Sequence, residues 1–83
     1  MKKVTVYTKS GCGYCTRARM LLQSRSVPFE EIDVTRDAPA RQRLVERTRR
    51  WTVPQIFIGD ESIGGYDELA ALDRSGRLEL KLA

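Results

Sequence analysis

Alternating apolar and polar positions mark the first two strands of this chain. In KKVTVYT, residues 2–8, Val4 and Val6 share one side, and FEEIDV, residues 29–34, repeats the alternation. A strand with one buried face shows this period of two. We therefore predict strands over both segments.

Helical spacing follows each of these strands. In CGYCTRARMLLQSRS, residues 12–26, one stripe contains Cys15, Ala18 and Leu22, as in a helix with a single apolar face. The next helix is predicted to begin after Asp37, which suits an N-cap, and to run through arginine-rich sequence to about residue 48.

The second half of the chain predicts a hairpin and a closing helix. QIFIG, residues 55–59, has three consecutive apolar residues, as a strand buried on both faces would. The Gly-Asp pair that follows predicts a tight turn into ESIGG, residues 61–65. Helical spacing returns in YDELAALDRSG, residues 66–76, and RLELKLA, residues 77–83, is a candidate for one more short turn of helix.

The resulting order, β-α-β-α-β-β-α, defines an α/β fold. Two strands joined by a helix are expected to be parallel with a right-handed crossover, whereas two strands joined by a tight turn are antiparallel. We predict a four-stranded mixed sheet flanked by three helices, in a single domain spanning residues 1–83.

Composition narrows the classes of function. Apolar residues make up 41% and charged residues 31% of the chain, which favours a folded domain over a disordered one. No apolar run reaches the roughly 20 residues of a membrane span, and the N-terminus shows no apolar signal-peptide core. We therefore expect a cytoplasmic protein without a membrane partner.

The net charge of +4 arises in one segment. Residues 36–50 carry six arginines against Asp37 and Glu46. Such a patch could steer an anionic partner, but a solvated helix face is the interpretation that we favour. Nucleic-acid binding is not expected, because no aromatic residues interleave with the arginines to form a stacking platform.

Cys12 and Cys15 are the only thiols in the chain. A structural disulfide across so short a loop would remove little chain entropy, and the cytoplasm would reduce it. A zinc site needs about four ligands, and the chain has no histidine and no third cysteine. A redox pair remains, located at the boundary between a predicted strand and a predicted helix.

The two cysteines are predicted to have different roles. Cys12 falls at or beside the helix N-terminus, where free backbone N–H groups and the helix dipole favour the nucleophilic thiolate. Lys9 and Arg17 add positive charge nearby. Cys15 lies one turn further in on the same face and is expected to be less exposed. We predict that Cys12 attacks and Cys15 resolves.

Three motifs together resemble the glutaredoxin family, specifically the small bacterial dithiol members with a thioredoxin-like fold. They are CGYC after a strand, TVP at residues 52–54 before QIFI, and GGYDEL at residues 64–69 opening a helix. The resemblance covers nearly the whole chain. It implies a monomeric oxidoreductase that uses glutathione as co-substrate and reduces protein–glutathione mixed disulfides and protein disulfides. It also implies a cis Val53-Pro54 bond.

The resemblance further implies a glutathione site. The backbone of Val53, left unpaired beside Pro54, could accept the cysteinyl unit as an added strand. The helix start near Tyr66 could hold the γ-glutamyl carboxylate, with Asp67 pairing to the neighbouring ammonium. Simpler roles also remain open, since Pro54 could merely start a strand and Asp67 could merely cap a helix.

At the other end of glutathione, Lys9 and either Arg41 or Arg50 could meet the glycyl carboxylate. The complete set of glutathione-binding residues implied by the resemblance is Lys9, Tyr14, Arg41, Arg50, Thr52, Val53, Pro54, Gly65, Tyr66 and Asp67.

The chain departs from the family pattern at several positions. Gly13 stands where proline is common, and the family associates such variants with a [2Fe–2S] cluster that Cys12 of two protomers and two glutathiones would share. Tyr66 replaces a small residue, and Trp51 precedes TVP. Arg49 stands where a helix-ending glycine is common, and a left-handed conformation there would cost about 1 kcal/mol.

Two rival functions remain open at this point. One is an iron–sulfur carrier that assembles as a cluster-bridged dimer. The other is a thioredoxin-like electron donor served by a flavin reductase. We rank the second rival lower, because Gly11 precedes Cys12 and Tyr14 stands where thioredoxins have proline.

Overall fold

Four strands and four helices follow the predicted order in the computed structural model, which describes residues 1–83. The strands are β1 (Val4–Thr8), β2 (Glu30–Asp33), β3 (Gln55–Ile58) and β4 (Glu61–Gly64). The helices are α1 (Gly13–Ser24), α2 (Ala38–Thr48), α3 (Tyr66–Arg74) and α4 (Leu78–Leu82). The candidate turn of helix at the end of the chain is therefore present as α4.

The sheet is mixed, as predicted, with the strand order β2-β1-β3-β4. β1 and β2 are parallel, whereas β3 runs antiparallel to both β1 and β4. Tyr7 near the end of β1 pairs with Gln55 at the start of β3. This register brings the loop that follows β1, with Cys12, next to the loop that precedes β3.

One face of the sheet is packed by α1, α3 and α4. Alternation along β3 directs Ile56 and Ile58 to this face, and both side chains are almost fully buried. Ten buried apolar residues form the main core there: Val4, Val6, Ala18, Leu22, Val27, Ile56, Ile58, Leu69, Leu78 and Leu82. This cluster joins β1 and β3 to three of the four helices.

The opposite face is covered by α2 and has a more polar character. Phe57 contacts Tyr7 edge-on at 5.6 Å between ring centroids, and the Arg47 guanidinium lies 4.3 Å above the Phe57 ring. Gln55 is completely buried at the start of the same strand. The second face therefore combines aromatic packing with buried polar groups.

Both ends of α2 agree with the sequence analysis. Asp37 is the N-cap, and its Oδ1 accepts the Ala40 N–H at 3.0 Å. Arg49 is the C-cap and has a φ of 59°, in the left-handed region. A side chain in this conformation costs about 1 kcal/mol relative to glycine.

Several elements are shorter than predicted. β1 starts at Val4 rather than at residue 2, because the Lys2 N–H donates to the Leu82 carbonyl at 2.8 Å instead of entering the sheet. α1 ends before Ser26, whose φ of 57° is not helical, and α3 ends before Gly76, whose φ is 73°. No helix combines the length and the apolar character needed to cross a bilayer.

The two outer strands each begin with a glutamate in an ion pair. In β2, the Glu30 carboxylate lies 3.1 Å from Lys3 Nζ, and in β4, Glu61 lies 2.6 Å from Lys81 Nζ. Each strand is four residues long. Both edges of the sheet are therefore short and charged.

Candidate active site

Cys12 is the N-cap residue of α1. Its backbone is extended, with φ −95° and ψ 109°, and its sulfur accepts the Cys15 N–H at 3.2 Å. The thiol is partly exposed. The prediction that Cys12 lies at the helix N-terminus is confirmed, and one backbone donor of the first turn points at its sulfur.

Cys15 is fully buried, one turn into α1. Burial raises the pKa of the Cys15 thiol from 9.0 to about 11, and the hydrogen bond and charge of Cys12 act in the same direction. Cys15 is therefore protonated at neutral pH. The predicted contrast between an accessible Cys12 and a less exposed Cys15 is confirmed.

The loop before β3 reaches the Cys12 sulfur. The Val53-Pro54 peptide bond is cis, as the resemblance implied. The Cys12 thiol donates to the Val53 carbonyl at 3.6 Å, and neither backbone group of Val53 has a backbone partner. The Val53 backbone, expected to be free of strand pairing beside Pro54, therefore lies next to the candidate nucleophile.

A cleft of about 260 Å³ adjoins this loop. All of its lining residues except Glu68 belong to the implied glutathione site: Tyr14, Arg50, Thr52, Val53, Pro54, Gly65, Tyr66 and Asp67. Three separate elements supply them, namely α1, the loop before β3 and the start of α3. The structure thus gathers most of the predicted residues on one side of Cys12.

Two predicted residues lie outside this cleft. Lys9 lines a second, more polar cleft of about 410 Å³, together with Cys12, Glu31 and Asp33. Arg41 donates from Nη2 to the Trp51 carbonyl. Arg41 therefore contacts the loop backbone, whereas the Lys9 side of Cys12 is a separate surface.

Glu68 was missed by the sequence analysis. Its Oε1 accepts the Gly65 N–H at 2.6 Å and lies 3.1 Å from Arg50 Nη1. The pKa of Glu68 is lowered, first by the Gly65 hydrogen bond and also by the Arg50 guanidinium. Arg50 thereby lines the same cleft as Asp67, whereas Lys9, with which either Arg41 or Arg50 was expected to act, lines the other cleft. A glutamate three residues after the N-cap was the available signal.

Gly64 has to be a glycine for this arrangement to form. Its φ is 113°, and a Cβ at this position would lie 2.5 Å from Glu68 Oε1. The first glycine of GGYDEL therefore makes room for the carboxylate that caps α3.

Tyr14 and Tyr66 pack against each other across the cleft. Their ring centroids are 6.1 Å apart with an interplanar angle of 38°, and the Arg17 guanidinium lies 5.1 Å from the Tyr14 ring centroid. Tyr14 is 55% exposed. Tyr66, which departs from the family pattern, thus forms one aromatic surface with Tyr14 of the redox motif.

The chain holds no group of three or more Cys, His, Asp or Glu side chains arranged to bind a metal ion. A cluster shared through Cys12 would need its remaining ligands from outside the chain. The structure therefore gives no support to the iron–sulfur alternative.

Comparison with known proteins identifies the family. The glutaredoxin family model matches residues 4–63. Glutaredoxin 3 of Escherichia coli is 47% identical over 79 residues, covering 95% of each chain. A glutaredoxin of Pseudomonas aeruginosa is 42% identical over 83 residues, covering 100% of this chain and 99% of the relative. The chain belongs to the glutaredoxin family.

Solved structures agree. A buckwheat glutaredoxin–glutathione complex has a TM-score of 0.89 at 32% identity, covering 98% of this chain and 76% of that one. The solution structure of glutaredoxin from Brucella melitensis has a TM-score of 0.88 at 44% identity, covering 99% and 89%. The predicted thioredoxin-like fold is confirmed, and the paired cysteines make this chain a thiol–disulfide oxidoreductase.

Proposed function

We propose that the protein is a glutathione-dependent oxidoreductase that reduces protein–glutathione mixed disulfides and protein disulfides. One observation carries the proposal: the Cys12 sulfur contacts the Val53 carbonyl, the Val53 backbone pairs with no other backbone group, and both lie at the edge of a cleft lined by the residues implied for glutathione. A short extended peptide with a central sulfur could pair with Val53 and present that sulfur to Cys12.

The first reaction needs only Cys12. Its thiolate attacks the glutathionyl sulfur of the mixed disulfide, the old S–S bond breaks, and the protein leaves as a thiolate that takes up a proton. A second glutathione thiolate then attacks the glutathionyl sulfur bound to Cys12. This step releases oxidised glutathione and regenerates the Cys12 thiolate.

Protein disulfides require Cys15 as well. After Cys12 forms a mixed disulfide with the protein, Cys15 loses its proton and attacks the Cys12 sulfur, which releases the reduced protein and leaves a Cys12–Cys15 disulfide. The charge and the hydrogen bond of Cys12, which raise the pKa of Cys15, are lost once Cys12 is in a disulfide. Cys15 therefore becomes easier to deprotonate at the step that uses it. Two glutathiones then restore both thiols.

The ends of glutathione are assigned by charge. Asp67, exposed in the first turn of α3, would pair with the γ-glutamyl ammonium. The Gly65 N–H is already used by Glu68, so the γ-glutamyl carboxylate is left to the next N–H groups of α3 and to Arg50. Lys9 is the proposed partner of the glycyl carboxylate, because Arg41 contacts Trp51. The buckwheat relative was solved as a complex with glutathione, which supports glutathione as the ligand.

Turnover of a glutathionylated peptide tests the proposal. Glutathione supplies the electrons, and a coupled assay measures the oxidised glutathione produced. We expect Cys12→Ser to abolish turnover, a loss of more than about a thousandfold, because the attacking sulfur is gone. Cys15→Ser should retain most of the activity on this substrate and lose it on a protein disulfide.

The reverse pattern, with Cys15 essential and Cys12 dispensable, would mean that the roles are exchanged. If the unmodified protein reduces protein disulfides with another electron donor but never uses glutathione, the proposed glutathione dependence is wrong.

A further inference from the structure

We propose that Gln55 is a positioning residue that fixes the Thr52–Pro54 loop in the shape needed to bind glutathione. The inference rests on the proposed function and assigns a role to a residue outside the cleft. It follows from the contacts of one buried side chain and from the planarity of one peptide bond.

Gln55 is the first residue of β3, and its side chain is 0% exposed. Its Nε2 donates to the Thr52 carbonyl at 2.9 Å and to the Thr52 Oγ1 at 3.2 Å. Its Oε1 is buried and has no hydrogen-bond partner. All the donor capacity of this amide is therefore directed at one residue of the loop.

Folding alone gives little reason for a glutamine at this position. The other residues of β3, Ile56, Phe57 and Ile58, are apolar, and the cross-strand neighbour is Tyr7. Burying an amide with an unpaired oxygen is less favourable than burying an apolar side chain of similar size. The glutamine thus reduces stability in a strand that an apolar residue would suit, which indicates a role other than packing.

The hydrogen bond to Thr52 sets the direction of the next amide. The Thr52 carbonyl and the Val53 N–H belong to one trans peptide group, in which C=O and N–H point in opposite directions. Because Gln55 draws the carbonyl toward the interior, the Val53 N–H is turned outward, where it has no backbone partner. An outward N–H is the donor that an added peptide strand requires.

A second contact holds the same loop from α2. Arg41 donates to the carbonyl of Trp51, the residue before Thr52, and the Arg41 Nε is buried without a partner of its own. Arg41 and Gln55 thus fix two successive carbonyls of the loop. The substrate backbone meets a preformed edge rather than a loop that must be ordered on binding.

The test compares Gln55→Met with the unmodified protein. Methionine keeps the length of the side chain and removes the donor. We expect the KM for a glutathionylated peptide to rise about fivefold, the equivalent of one hydrogen bond, with kcat unchanged and the melting temperature equal or higher. Thr8→Val is the matched control, because it removes a buried hydroxyl from the adjacent strand, where Thr8 donates to Glu31, and should leave KM unchanged.

The proposal is overturned if Gln55→Met binds and turns over substrate as the unmodified protein does. A joint fall of stability and affinity would also overturn it, because Gln55 would then have an ordinary structural role. If the unmodified protein shows no turnover with glutathione, the proposed function fails along with this inference. If the variant and the unmodified protein are both active with equal KM values, this inference is wrong and the proposed function stands.

A measurement on the unmodified protein covers the case in which the variant does not fold. In NMR spectra without glutathione, the Gln55 side-chain amide protons should exchange slowly with solvent, and one should show scalar coupling to the Thr52 carbonyl carbon. Fast exchange of both protons would overturn the proposal.

Discussion

The two faces of the sheet are built on different principles. On the α1, α3 and α4 side, Ile56 and Ile58 join a cluster of ten buried apolar residues. On the α2 side, their neighbour Phe57 is covered by the Arg47 guanidinium, and Gln55 is buried with an unpaired oxygen. The first face stabilises the fold, whereas the second face holds the loop that carries Val53. The side chains that stabilise the fold and those that position the site thus lie on opposite faces of the same strand.

This separation follows from strand geometry. Successive residues of β3 point to opposite faces, so the strand can add to the apolar core with one residue and position the adjacent loop with the next. Each fully buried aliphatic side chain on the first face contributes about 1.5–3 kcal/mol. The polar contacts on the second face contribute less to stability, and they determine where backbone groups point.

The largest expected effect comes from a substitution in the apolar cluster of the first face. Ile56→Ala should lower the free energy of unfolding by about 3 kcal/mol, because it leaves a cavity in the apolar cluster. Arg47→Ala, on the second face, should cost less than about 1 kcal/mol, the value of an exposed cation–π contact. Urea denaturation of both variants measures the difference, and equal losses would show that the two faces stabilise the fold alike.

The second prediction tests the burial of the Cys15 thiol. Because burial raises the pKa of Cys15 from 9.0 to about 11, its alkylation by iodoacetamide at pH 8 should be about a hundredfold slower than that of an unburied cysteine. Cys12 in the same molecule should be modified first. Mass spectrometry of peptides after timed alkylation measures both rates, and similar rates would contradict the burial of Cys15.

The same shift makes stability depend on pH with a definite sign. The folded state retains the Cys15 proton, whereas the unfolded chain releases it above about pH 9, so stability falls as the pH rises from 9.0 to about 11. Cys15→Ala should lack this part of the decrease. The variant is the control for lysines and tyrosines that titrate over the same range.

The smallest expected effect concerns strain on the second face. Arg49→Gly should raise the free energy of unfolding by about 1 kcal/mol, because Arg49 has a φ of 59° at the end of α2. Arg43→Gly, inside the same helix, should lower it by a similar amount. Thermal melts of the two variants should move in opposite directions. A destabilised Arg49→Gly protein would show that the arginine side chain makes a compensating contact.

The sequence predicted features that depend on local pattern. Alternation and helical spacing gave the element order, and the strand-to-helix boundary placed Cys12 at the N-cap of α1. The cis bond at Val53-Pro54 was expected from the family motif alone, and it is present. The element order and the N-cap depend on neighbours within a few residues, and the cis bond was implied by the family motif.

Features that depend on tertiary contacts were not predictable. Gln55 looked like an ordinary first residue of a strand, because nothing in the sequence shows that its amide turns back to Thr52. The pairing of Tyr14 with Tyr66 joins two helices that meet only in the folded chain. The start of β1 shifted for the same reason, because Lys2 pairs with Leu82 instead of extending the strand.

The charged edges of the sheet bear on how the protein behaves at high concentration. An exposed strand offers unpaired N–H and C=O groups to a strand of another molecule, which is a common route to aggregation. Here β2 and β4 are only four residues long, and each begins with a glutamate held by a lysine. Edges this short and this charged disfavour pairing with a strand of another molecule, which makes the sheet a poor template for fibril growth.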